Sequence, residues 1–178
     1  MTLLSVALMH RFQLSLAAGG YFIFCAALLV IIFIDIHHQI IPDVISLPGI
    51  VIGFLFSLVS HTVTWQSSLI GLLVGGGVLY AVAFLYALLR KIDGMGGGDI
   101  KLLAMIGAWL GWQALPFIIL ASSTTGSIAG LIAMRSQKKG GQTRIPFGPF
   151  LSLAALVYTF FSEKILYFYQ LYLTGQWP

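Results

Sequence analysis

Long apolar runs separated by short polar segments set the pattern of the chain. Runs at about 14–34, 44–60, 69–89 and 115–134 are each long enough, or nearly so, to cross a bilayer as a helix of roughly 20 residues. Two further runs are marginal. The one at 100–110 is short, and the one at 147–161 reaches spanning length only by continuing past Glu163 and Lys164 into the aromatic stretch "ILYFYQLYL". The pattern predicts an all-α polytopic membrane protein, a bundle of about six transmembrane helices at approximately 14–35, 44–60, 69–90, 99–112, 115–135 and 147–172. Residues 1–13 form an apolar N-terminal extension, too short to cross: a surface helix, or the tail of a helix from a longer parent chain. The first long run exceeds the apolar core of about 7 to 15 residues of a signal peptide and lacks a basic cluster before it.

Composition sharpens this picture. Hydrophobic residues make up 59% of the 178 and charged residues 8%, against about 25% charged in a soluble domain, and the mean hydropathy is +1.00. Any chemistry must therefore take place inside the membrane or at its edge. The net charge of +4 is carried between apolar runs, so it speaks of orientation and not of nucleic acid. The one cysteine, Cys25, excludes an internal disulfide and a cysteine-based zinc cluster.

Basic residues gather in cytoplasmic loops, and Arg90, Lys91, Lys101, Arg135, Lys138, Lys139 and Arg144 lie in or beside two of them. Those loops share a side only if the chain crosses twice between Lys101 and Arg135, which requires the short fourth run to be a helix. Both termini then lie outside, and Trp65, Trp109, Trp112 and Trp177 fall at the outer face as an aromatic belt would. Asp35 closes the first helix and Asp99 opens the fourth. Two crossings separate them, so parity puts both on the cytoplasmic side, where they can meet.

An ionisable side chain in a membrane segment is costly and marks a functional candidate, although an acid at a helix end also serves as a cap, and spacing alone leaves both roles open. Asp43 follows Pro42 at a helix start, where an acid suits the macrodipole; Asp93 lies in a basic loop. Paired carboxylates suggest aspartic-type hydrolysis without a metal: one acts as base toward water and the other donates to the carbonyl. Asp99 sits at the positive end of its helix and Asp35 at the negative end of its own, which favours Asp99 as base and Asp35 as proton donor. Lys101 either biases Asp99 or anchors the helix at the interface. Gly94, Gly96, Gly97 and Gly98 permit tight turns and close approach of a substrate backbone. His37 and His38 either tune Asp35 or remain solvated. Glycines four apart (71 and 75, 107 and 111, 126 and 130) read as helix-packing surfaces.

"GMGGGDIKLL" (94–103), "FIDIHHQIIPDVISLP" (33–48) and "IPFGPFL" (145–151) resemble, in order, the signature regions of the type IV prepilin peptidases, membrane aspartic proteases of the GxGD group. The resemblance implies cleavage of the basic leader from type IV prepilins and type II secretion pseudopilins at the cytoplasmic face of the inner membrane. It matches the catalytic pair to Asp35 and Asp99. It further suggests that Pro42, Lys101, Pro146, Phe147, Gly148 and Pro149 shape the site with the glycines. Full-length members carry an upstream cytoplasmic domain, often with zinc-binding cysteines, and methylate the new pilin N-terminus. Lacking both domain and cysteines, this chain is expected to be a natural short form or a fragment that performs proteolysis alone, with S-adenosylmethionine relevant only if methyl transfer is retained. The expected partners are prepilins, pseudopilins and the lipid bilayer, with no nucleic acid; a homo-oligomer stays open. A competing expectation is a small proton- or ion-coupled transporter using Asp35 and Asp99 as relay groups, which predicts acids near the midplane and internal repeats. No repeat is evident in the sequence.

Overall fold

The computed structural model describes residues 4–6, 8, 11, 15–60, 62–90, 96–137 and 146–174. The described residues 4–6, 8 and 11 are helical, and from residue 16 on six helices follow one another: α1 (Leu16–His38), α2 (Asp43–Val59), α3 (Trp65–Arg90), α4 (Gly97–Leu110), α5 (Leu115–Gln137) and α6 (Gly148–Thr174), with a short 3₁₀ turn at Trp112–Ala114. The protein is an all-α polytopic membrane protein. Four stretches, Leu16–His38, Trp65–Leu89, Trp112–Ala133 and Gly148–Leu173, have the length and hydropathy to cross a bilayer, and α2 is a shorter apolar helix.

Local chemistry sets the helix ends. Ser15 caps α1 by accepting the Ala18 amide, satisfying a donor that has no intrahelical partner. At the other end Gln39 adopts the left-handed conformation (φ 52°, ψ 39°) and donates its N–H to the Asp35 carbonyl at 2.9 Å, which closes α1 and turns the chain into the linker 39–42. Pro42 precedes α2, which begins at Asp43. In α6 the backbone leaves helical geometry at Phe161 (φ −119°, ψ 15°). Arg11 fills the break by donating to the Phe160 carbonyl and to Ser162 Oγ, and the nearby Leu8 is buried in the core.

α4 is the centre of the bundle, packed against α2, α3 and α6. Every residue from Leu102 to Leu110 is buried. Fourteen residues rise about 21 Å, short of a hydrocarbon core of about 30 Å. The deficit is tolerable because neighbouring helices and not lipid surround α4. Small residues admit it. α3 and α4 run antiparallel with Gly71 against the Gly107 backbone and Gly75 against the Leu103 carbonyl, and the buried Ser68 hydroxyl donates to the Ala108 carbonyl at 2.6 Å. Lipid gives apolar helix faces little reason to associate, so such backbone approach and interhelical hydrogen bonding hold the pair.

On the α2 side, Gly49 and Gly53 receive Met105 and Trp109. Trp109 donates its indole N–H to the Gly49 carbonyl at 2.8 Å and stacks on Phe24 with centroids 5.1 Å apart. At 3% exposure it is a core residue, which corrects its expected place in an outer aromatic belt. Trp65 and Trp112 are half exposed; Trp177 lies outside the described residues.

A Cβ at residue 107 would overlap the Gly71 carbonyl, backbone that no rotamer change can move. Gly107→Ala should therefore destabilise the fold by at least about 1–3 kcal/mol, read as a lower thermal midpoint of the purified protein in detergent.

Candidate active site

Both candidate acids lie at helix ends on one side of the bundle. Asp35 sits in the last turn of α1 and is 4% exposed. Its Oδ2 is buried without a hydrogen-bond partner. Asp99 is the third residue of α4, partly buried, and follows Gly98, which packs on Ile41. The two acids thus lie in one neighbourhood, linked through Ile41, which meets Gly98 beside Asp99 and Gly148 beside Asp35.

The third motif comes to the same place. Gly148 opens α6, and a Cβ there would stand 2.5 Å from Asp35 Oδ2. The first amides of a helix have no intrahelical partners and carry its positive end, so α6 presents that end to Asp35. The helix-end argument that separated the roles of the two acids therefore no longer separates them, because Asp35 lies between the negative end of α1 and the positive end of α6. Phe147 supports this entry by accepting the amides of Phe150 and Leu151, and its ring lies near Gly126 of α5. Pro149 is buried, and Pro146 is partly buried.

Ile41 joins all three motifs. Within the linker 39–42 its neighbour Ile40 is 62% exposed while Ile41 is 8% exposed. A Cβ at Gly98 would stand 2.9 Å from the Ile41 Cβ, and one at Gly148 3.0 Å from its Cδ1. Sequence reasoning passed over Ile41. The available signal was an apolar pair in a short interhelical linker, which says that something there is covered but not by what.

The glycines divide by role. Gly98 is filled by Ile41, whereas a Cβ at Gly97 would meet nothing within 4 Å and one at Gly96 only Asp99 Oδ2, at 3.9 Å. Gly96 and Gly97 are exposed and form the open approach to Asp99; Gly94 lies outside the described residues, as do Asp93, Lys91, Lys138, Lys139 and Arg144. Lys101 reaches the Asp43 carboxylate, with Nζ 2.7 Å from both oxygens. Pro42 stands at the start of α2 beside that pair. His37 places Nδ1 2.8 Å from the Phe33 carbonyl, one turn back on its own helix, and His38 is exposed. Among the described residues no three His, Cys, Asp or Glu side chains gather as a metal ion would need.

Substitutions should discriminate between these glycines. Gly148→Ala and Gly98→Ala each force a new methyl into an occupied space and should lower the thermal midpoint. Gly97→Ala meets open space and, at a helical position, should leave stability unchanged or raise it by up to about 1 kcal/mol. Thermal denaturation of the three variants in one detergent checks the ranking.

Residues 22–131 match the type IV leader peptidase family, a span that includes both acids and stops short of the motif at 145–151. Among curated relatives, the prepilin leader peptidase/N-methyltransferase of Stutzerimonas stutzeri is 39% identical over 163 residues, 92% of this chain and 56% of the relative. The protein of the same name from Pseudomonas aeruginosa is 37% identical over the same shares. That from Aeromonas salmonicida is 40% identical over 144 residues, 80% of this chain and 49% of the relative. The chain spans about half the length of these relatives. No solved structure matches. The match over more than half of the chain, with relatives about 40% identical over most of it, shows that the chain belongs to the type IV leader peptidase family.

Proposed function

We propose that the chain is a membrane aspartic endopeptidase that removes the leader from type IV prepilins and type II secretion pseudopilins at the cytoplasmic face of the inner membrane. The observation that carries this reading is the meeting of Gly98, next to Asp99, and Gly148, against Asp35, on Ile41, which draws three distant segments together beside the two acids. The chemistry needs a shared proton. One carboxylate takes a proton from water as the water oxygen attacks the scissile carbonyl carbon, while the other acid gives its proton to the carbonyl oxygen. Collapse of the tetrahedral species breaks the C–N bond: the proton held by the first acid passes to the leaving amine, and one hydroxyl of the tetrahedral carbon returns its proton to the second acid as the carbonyl reforms, which restores the pair. The hydrolysis uses the two carboxyls and water; S-adenosylmethionine has no part in it.

The environment supports the same reading. The Asp35 carboxyl is buried, so little water screens it and its electrostatic coupling to a nearby charge is stronger than in water. The exposed backbone at Gly96 and Gly97 offers an extended substrate close approach beside Asp99.

Asp35→Asn and Asp99→Asn should each lower the rate of prepilin cleavage by at least about 10²- to 10⁴-fold without reducing the amount of protein in the membrane. A gel-mobility assay on a prepilin bearing its leader, with the protein in liposomes, reads the outcome. Appreciable cleavage by either variant would overturn the dyad. No cleavage by the parent chain, accompanied by proton or ion flux, would replace the peptidase with the transporter.

A further inference from the structure

Lys101 and Asp43 form a cross-link that the proposed dyad chemistry does not use. They are 58 residues apart, and a single ammonium lies 2.7 Å from both carboxylate oxygens. The location of the pair is specific. Lys101 is two residues after Asp99, at the fifth position of α4, and Asp43 is two residues after Ile41 at the first position of α2. The segment 41–43 is thus fastened to the turn 98–101 at two points: Ile41 packed on Gly98, and Asp43 paired with Lys101. Asp99 lies between those two points. Ile41 also touches Gly148 beside Asp35, so any slip of α4 along α2 would change how Asp99 faces Asp35.

From this arrangement we propose that Asp43 and Lys101 are positioning residues, an ion pair that fixes the register of the first turn of α4 against the linker over Asp35 and so holds the two carboxyls in catalytic geometry. The proposal rests on the peptidase reading for its kinetic consequence, though not for its geometry. Stability does not explain the pair well. The side chains of Lys101 and Asp43 are 39% and 55% exposed, and exposed ion pairs contribute about 0–1 kcal/mol. Active-site geometry is far less forgiving, since a displacement of about 1 Å costs about 10²-fold in rate. A pair that matters little to folding and much to turnover has a recognisable kinetic signature.

Lys101→Met and Asp43→Asn, each in the full chain reconstituted in liposomes with a prepilin substrate, should lower kcat roughly ten- to a hundredfold while KM stays within about threefold. Both should accumulate in the membrane as the parent does. The charge exchange, Asp43→Lys combined with Lys101→Asp, should restore at least about a third of the parental kcat, an outcome that independent structural roles for the two residues would not produce. Unchanged kcat in the single variants, no recovery in the exchange, or loss of the single variants from the membrane would each overturn the positioning role. A second measurement needs no substrate: amide hydrogen exchange across residues 97–101, read by mass spectrometry on the full chain in liposomes, should speed severalfold in Lys101→Met and in Asp43→Asn. Unchanged exchange there would count against the proposal even if the parent chain cleaved nothing, whereas failure of the parent to cleave would count only against the peptidase reading.

Discussion

Backbone-on-backbone contact between Gly71 of α3 and Gly107 of α4 is the constraint on which the rest of the structure depends. Within a bilayer an apolar side chain gains little by leaving lipid for a neighbouring helix, so association comes from close packing and from hydrogen bonds that lipid cannot supply. The absence of a side chain at both positions lets α4 sink between α2, α3 and α6. Once there, it can be shorter than a lipid-facing helix and still lie at membrane depth, because its polar backbone is satisfied internally and its surface is covered by protein. Ser68 and Trp109 then fix its position with bonds to the carbonyls of Ala108 and Gly49.

That placement gives the acids their geometry. A lipid-facing α4 of spanning length would begin nearer the membrane surface. The buried, short α4 begins at Gly97, beside the linker that closes over Asp35. α6 enters at the same level, with Gly148 small enough to bring its first turn against the carboxyl. The site is therefore a junction of three chain segments, each delivered by a helix end, where unpaired backbone amides and carbonyls provide fixed charges that a mid-helix location would lack.

Much of the fold was legible because the membrane makes it so. Apolar runs must become helices when no water can satisfy an open backbone, and the two basic loops forced the short fourth run to be counted as a helix. Parity then brought Asp35 and Asp99 to one face without any knowledge of packing. What escaped were pairings between segments, since neither spacing nor hydropathy encodes which neighbour a side chain meets. Trp109 sits where an interfacial tryptophan would be expected along the chain, yet faces inward because Gly53 leaves room for its ring. Lys101 stands two residues from Asp99 in sequence, but its ammonium turns to Asp43. The positive end of α6 beside Asp35 was equally invisible, and it removes the asymmetry on which the assignment of base and acid rested.

The brevity of α4 also sets a depth. Gly71 faces Gly107 and Gly75 faces Leu103, so facing positions sum to 178 and Gly97 falls level with Ala81, about nine residues before α3 ends at Arg90. At 1.5 Å per residue the floor of the site is recessed about 13 Å below the tip of α3. On the peptidase reading, an extended substrate strand of about four residues, at 3.3 Å each, would match that offset alongside α3.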